Sequence, residues 1–224
     1  MDFNNRVVTT VDLFGQNIWI TQTHISTWVI MTFLVILALV IRATLSRFEE
    51  IPTGSQNFIE FIVETFDKFV ISVLGPDMRH FGNWFFGVFL FVLASNISGL
   101  FLLRPPTADI STNLALSIST FAIVHFIGLT KAPIAYFKSL MQPFFIFAPI
   151  NLAGELSIII SLAFRLFGNL LAGLMILGII YYLVPWWLAI AIPSVLHAYF
   201  DVFSGTIQAF IFTMLSMVYI KQKK

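Results

Sequence analysis

The sequence predicts an all-α integral membrane protein: five transmembrane helices plus one interfacial amphipathic helix, with the last two spans forming a long hairpin. Three observations predict it. Hydrophobic residues fill 58% of the 224 positions and charged residues only 10%, against about 25% charged in an ordinary soluble domain. The mean hydropathy is +0.93. Apolar runs near the length of about 20 residues that crosses a hydrocarbon core recur along the whole chain, so it is read as a single membrane domain over 1–224.

Met1 to Ile20 contain Asp2 and Asp12 and no continuous apolar stretch, so no cleavable signal peptide is expected. The first span is Ile25 to Leu45, with Arg42 and Arg47 at its end. From Gly54 to Leu74 the pattern changes. Phe58, Ile62, Phe66, Phe69 and Val73 recur at helical spacing, while Glu60, Glu64, Asp67 and Lys68 fall opposite them. That pattern predicts a helix lying in the interface. Phe81 to Leu103 is the next span, ended by Arg104-Pro105-Pro106, and Asp109 to Leu129 returns. The connector from Thr130 to Pro143 holds Lys131, Pro133 and Lys138 and reads as a surface loop.

The rest is a hairpin, Leu152 to Val184 followed by Trp187 to Ile220, hinged at Pro185-Trp186-Trp187. Its first arm would be about 50 Å of helix against a core of about 30 Å. It must tilt steeply, extend into water, or break.

Basic residues fix the orientation. Arg42, Arg47, Lys68, Arg79, Lys131, Lys138, Lys221, Lys223 and Lys224 fall on one side, and Arg6 and Arg104 on the other. The positive-inside rule then puts the C-terminus in the cytoplasm and the N-terminus outside. A net charge of +1 gives no reason to expect nucleic acid, and the absence of cysteine excludes disulfides and thiolate metal sites. No nucleophile set, phosphate loop or HExxH-type metal motif is present, so catalysis by this chain alone is not expected, and no cofactor or metal is predicted.

Arg165 alone stands mid-way along a span. An arginine at the bilayer centre costs about 2.5 to 3.5 kcal/mol on insertion scales. Because a guanidinium does not release its proton, it cannot relay protons; it can only act as a fixed positive charge that lowers the pKa of a carboxylate beside it. Glu155, ten residues earlier on the same arm, lies about 15 Å away along the axis. Counted from Pro185, Asn169 and Asp201 are each 16 residues away, and Arg165 and Gln208 are 20 and 23. Parallel helices would set Asn169 level with Asp201, and Gln208 about 4.5 Å from Arg165 in depth. His197 and Asp201, spaced i and i+4, share one face. Two readings follow from these polar groups: an ion path, or a structural network that glues the hairpin. His24 and His80 read as solvated, and His125 as a hydrogen-bonded packing residue.

Phe164-Arg165-Leu166-Phe167-Gly168-Asn169 with Ala172-Gly173, and Ile207-Gln208-Ala209-Phe210-Ile211-Phe212, resemble the signatures of the a subunit of F-type ATP synthases. Gly54 to Phe66, Pro106 to Asn113, and Pro149-Ile150-Asn151-Leu152 with Glu155 are similar to further blocks of that family. The resemblance implies a steeply tilted final hairpin curved along a ring of c subunits, with the b-subunit peripheral stalk, the remaining synthase subunits and the lipid bilayer as other partners. It implies a non-catalytic, ion-translocating (proton) stator subunit of the bacterial cell membrane. Two half-channels would serve the c-ring carboxylates, separated by Arg165, with Asn169, His197, Asp201, Gln208 and Glu155 along the ion path. One position departs from the family: Leu174 stands where relatives often carry an acid or histidine, and His197, one turn from Asp201, and Glu155 are the candidate substitutes. The competing readings are a secondary transporter, which would favour inverted repeats, and a membrane-embedded hydrolase, which would need a nucleophile or metal set.

Overall fold

The computed structural model describes residues 7–13, 16–45, 54–101, 103–131, 133, 136, 138, 141, 144–185, 188 and 191–223. The elements are β1 (Val7–Leu13), β2 (Gln16–Thr21), α1 (Gln22–Leu45), α2 (Ser55–Leu74), α3 (Gly82–Ile97), α4 (Ile110–Lys131), α5 (Ala148–Leu183), α6 (Ala191–His197), a π-helical segment (Ala198–Ser204) and α7 (Gly205–Gln222). Five stretches are long and apolar enough to cross a membrane: Gln22–Thr44, Pro76–Phe101, Ile110–Thr130, Phe145–Leu183 and Ala191–Gln222. The amphipathic sixth helix is α2. The chain is an all-α membrane protein, as the composition predicts.

Two local features differ from the sequence reading, and a third removes one of the alternatives it left open. The β-branched run Val7-Val8-Thr9-Thr10-Val11 forms a strand, pairing antiparallel with Ile18 to Thr21. α4 continues to Lys131, and the described residues Pro133, Tyr136 and Lys138 are helical, where a loop was expected; the remainder of that connector lies outside the described residues. The long arm does not break, since α5 runs unbroken for 36 residues.

The chain divides into two compact units. The first comprises Met1–Phe48, Leu90–Asp109 and Phe167–Ala209. Here α1 leaves Trp28, Phe33, Val35, Leu39 and Val40 exposed and buries little besides Thr23, Ser26 and Ile30, as a helix bathed in lipid should. A buried polar chain ties its other parts together. Thr107 Oγ1 donates to Asn96 Oδ1 (2.8 Å), and Asn96 Nδ2 donates to the Gly205 carbonyl (3.0 Å). Glycine is required at 205 because a Cβ there would stand 2.8 Å from Asn96 Cβ. Small residues that let backbones approach are the usual device where water cannot drive helices together.

The second unit comprises Glu49–Phe89, Ile110–Leu166 and Phe210–Lys224. Its core is Val70, Leu74, Met78, Phe85, Val124, Ile127, Met217 and Ile220. α2 is bounded by Gly54 and Gly75, both at positive φ, which an L side chain adopts only with strain. The C-terminal half of α2 buries Val70 and Leu74, and Phe69 stacks on Phe210 with centroids 5.0 Å apart. Its charged face carries the Glu64–Lys68 pair and Asp67, which pairs with Arg79. Pairs as exposed as Glu64–Lys68 contribute little stability and mainly keep that face wetted.

Candidate functional site

The π-helical segment positions the main ionisable group of the first unit. Its widened turn has the Gly205 amide reaching back to the Phe200 carbonyl, five residues earlier. Such wide turns re-aim side chains and occur mostly at functional sites. Asp201 lies within it, its side chain only 5% exposed. His197 Nδ1 meets Asp201 Oδ2 at 2.6 Å, as the i, i+4 spacing predicts. The other ring nitrogen, Nε2, is 3.2 Å from the Tyr181 hydroxyl on α5. On its far side the carboxylate abuts backbone, because a Cβ on Gly99 would come within 3.0 Å of Asp201 Oδ2.

Tyr181, His197 and Asp201 line one cavity of about 860 Å³, together with Gln22, Ser26, Arg104 and Leu174. Leu174 is thus an apolar part of the wall. Tyr181, seven residues further along α5, supplies the hydroxyl that completes the chain to Asp201. Nothing local marked Tyr181 in the sequence, because a tyrosine near the end of a span reads as an interfacial anchor. A phenol, an imidazole and a carboxylate in series can pass a proton, and the carboxylate can equally neutralise a cation drawn into the cavity.

Asn169 and Ser204 exchange two hydrogen bonds, with Asn169 Nδ2 donating to Ser204 Oγ (2.9 Å) and Ser204 Oγ donating to Asn169 Oδ1 (3.0 Å). The level partner of Asn169 is therefore Ser204 and not Asp201. Three residues separate the two, about 4.5 Å of helix rise. The count from Pro185 assumes regular helix on both sides of the hinge; α6 begins only at Ala191, and the π segment takes in extra residues per turn.

Gln208, on α7, is buried in the first unit. Arg165 and Glu155, both on α5, belong to the second unit. Arg165 is exposed in the single chain, while its neighbours Leu162, Ala163 and Leu166 are buried. Along the same face of that unit Ser157 and Ser161 are also exposed, so small side chains lead up to the arginine. Glu155 is paired with Lys223 and has His125 Nε2 3.9 Å from its second oxygen.

Five apolar spans that carry a mid-helix arginine, and a buried carboxylate–imidazole pair opening on a cavity, define a multi-pass membrane protein built to handle ions. The family described as ATP synthase A chain matches residues 24–221. "ATP synthase subunit a, sodium ion specific" of Propionigenium modestum is 36% identical over 219 residues, covering 90% of this chain and 73% of that protein. "ATP synthase subunit a" of Staphylococcus carnosus is 34% identical over 236 residues, covering 96% and 95%. The same subunit of Moorella thermoacetica is 34% identical over 203 residues, covering 90% and 89%. The chain belongs to the ATP synthase A chain family, and it is a non-catalytic, ion-translocating subunit of the synthase membrane sector, multi-pass in a bacterial membrane.

Proposed function

We propose that this chain, acting as one membrane domain, is the stator half of a rotary ion path, with two half-channels serving the carboxylates of a c-subunit ring. The observation that carries this reading is the exposure of Arg165 at mid-helix, with small residues leading up to it. Small side chains beside a fixed guanidinium let a partner helix bearing a carboxylate come close, and that charge complements the guanidinium better than lipid does. Because Arg165 stays charged, it drives each arriving carboxylate to release its ion and blocks leakage between the half-channels. Asp201 and His197 form the outer access, Glu155 the inner one, and Asn169 and Gln208 position the helices between them. The b-subunit peripheral stalk holds the chain against rotation. The N-terminus lies outside the plasma membrane and the C-terminus in the cytoplasm.

The coupled ion in this reading is the proton, supported by the hydrogen-bonded series Tyr181, His197 and Asp201. Sodium is the second reading, favoured by the sodium-specific relative of Propionigenium modestum. Asp201→Asn tests the outer access, since it keeps size and polarity but removes titration. ATP-driven ion pumping by the assembled enzyme should fall at least about tenfold, the scale on which one positioned acid–base group usually matters. Pumping equal to wild type over the full pH range would make Asp201 structural.

A further inference from the structure

A second group of titratable side chains comes together in the second unit, built from four chain segments. Glu155 of α5 bonds the ammonium of Lys223, which stands one residue past α7; both side chains are largely buried. The Tyr136 ring packs over Gly128 of α4, where a Cβ would come within 2.8 Å of the ring, and stands edge-on to His125 with centroids 5.7 Å apart. The Lys223 ammonium lies 5.5 Å from the centre of the same ring. Burial, and then the Glu155 charge, raise the Tyr136 phenol above its ordinary value near 10, so the wall beneath the ammonium is neutral.

This ion pair is half-satisfied. His125 Nδ1 stands 2.9 Å from the Phe121 carbonyl and so donates to it, which leaves Nε2 facing Glu155 Oε2 at 3.9 Å. Glu155 Oε2 is buried and has no hydrogen-bond partner among the described residues. A structural pair in a dry site gains stability when both carboxylate oxygens are bonded, and one left half-made is a weak glue. What the geometry does provide is a negative oxygen and an aromatic face meeting one small cation, here a lysine's, with an imidazole nitrogen beside the second carboxylate oxygen.

We propose that Glu155, His125 and Tyr136 form a site for a small monovalent cation, and that the Lys223 ammonium is its tethered competitor, closing access to Glu155 whenever the end of α7 is docked. The inference rests on the reading of Glu155 as an inner ion-path residue. A free ion reaches Glu155 only when Lys223 leaves, so the lysine raises the ion concentration needed from that side. The exchange needs no protein refolding, because Lys223 lies just beyond the last helical turn and its long stem can swing.

The test uses inverted membrane vesicles carrying the assembled synthase, in which ATP hydrolysis takes ions up from the face assigned to Lys223. External Na⁺ is titrated at fixed pH, and external pH at fixed Na⁺, for wild type, Lys223→Gln, Lys223→Met, Lys223→Arg and Glu155→Gln. The neutral lysine variants should lower the half-saturating concentration of whichever ion supports uptake by about three- to fivefold, in keeping with the modest net strength of a largely buried pair whose desolvation offsets most of its attraction. Lys223→Arg should keep the wild-type value, and Glu155→Gln should impair uptake. Unchanged half-saturation in Lys223→Gln and Lys223→Met with impaired Glu155→Gln overturns the competitor role and leaves Glu155 in the path. Loss of assembled enzyme in both neutral variants, rescued by arginine, assigns Lys223 a structural role and likewise overturns it. Full uptake in Glu155→Gln removes the ion-path reading of Glu155, and this inference with it.

Discussion

Asn169 and Ser204 each give and accept a hydrogen bond across the final hairpin, at 2.9 and 3.0 Å, and this reciprocal pair fixes the register of α5 against the π-helical segment. The hydroxyl uses its one proton and accepts one of the amide's two N–H groups, so each side chain meets a polar partner where water is absent. The pair also holds Asp201 one turn away from the level of Asn169, where the carboxylate meets His197 and the cavity instead of the amide.

Removing either partner should loosen the hairpin without unfolding it. Asn169→Leu and Ser204→Ala are each expected to cost about 0.6 to 1.7 kcal/mol, the range found for interhelical hydrogen bonds in membranes. The double variant should cost less than the sum of the two. Thermal unfolding of the detergent-solubilised subunit measures this, and strict additivity would mean that the two side chains do not act as a unit.

Crowding the Asp201 carboxylate should affect ion handling more than stability. In Gly99→Ala the new Cβ would meet Oδ2 at 3.0 Å and Oδ1 at 3.6 Å, and the carboxylate cannot easily retreat because His197 holds it. Displacement by a few tenths of an ångström breaks the alignment with the imidazole. ATP-driven pumping in vesicles is expected to fall by about tenfold with assembly retained, since small misplacements of a reacting group carry large rate penalties. Unaltered pumping would show that the close approach of residue 99 is tolerated.

The membrane orientation is open to a direct check. With nine basic residues assigned to one side and two to the other, a reporter fused after Lys224 should signal from the cytoplasm. A reporter active only outside the cell would invert the assignment of Asp201 and Glu155 to outer and inner access.

The spans were legible in the sequence because apolar run length is a direct physical requirement of the bilayer. Arg165, His197 and Asp201 were legible for the complementary reason, since an ionisable group inside such a run is costly enough to demand a role. What the sequence left unread depends on tertiary register. The i, i+4 spacing of His197 and Asp201 announces their contact, but no local pattern announces that a π-helical turn carries Asp201, and that turn moves the partner of Asn169 from Asp201 to Ser204. The Glu155–Lys223 pair joins positions 68 apart in the chain, and Tyr136 reaches both through a connector read as a loop. The hairpin β1–β2 left as its trace only a short β-branched run, which without its tertiary partner strand marks no strand by itself.

Arg165→Lys should not behave as a conservative change. Lysine keeps the positive charge at first sight, and the helix and the small residues leading up to position 165 are retained, so the assembly should form. The difference lies in the proton. A guanidinium stays charged at any physiological pH and presents a planar fork that matches a carboxylate, while an ammonium in a low-dielectric site can lose its proton to that same carboxylate. Once neutral, residue 165 no longer forces the ring carboxylate to give up its ion and no longer separates the two access routes. Coupled ATP synthesis in vesicles under an imposed ion gradient is therefore expected to fall by about a hundredfold or more, as when a preorganised charge is lost from a site that works by electrostatics. The amount of assembled complex, measured separately, should match wild type. Wild-type synthesis rates in Arg165→Lys would contradict the separator role and return Arg165 to the interhelical network that was the competing reading of these polar groups.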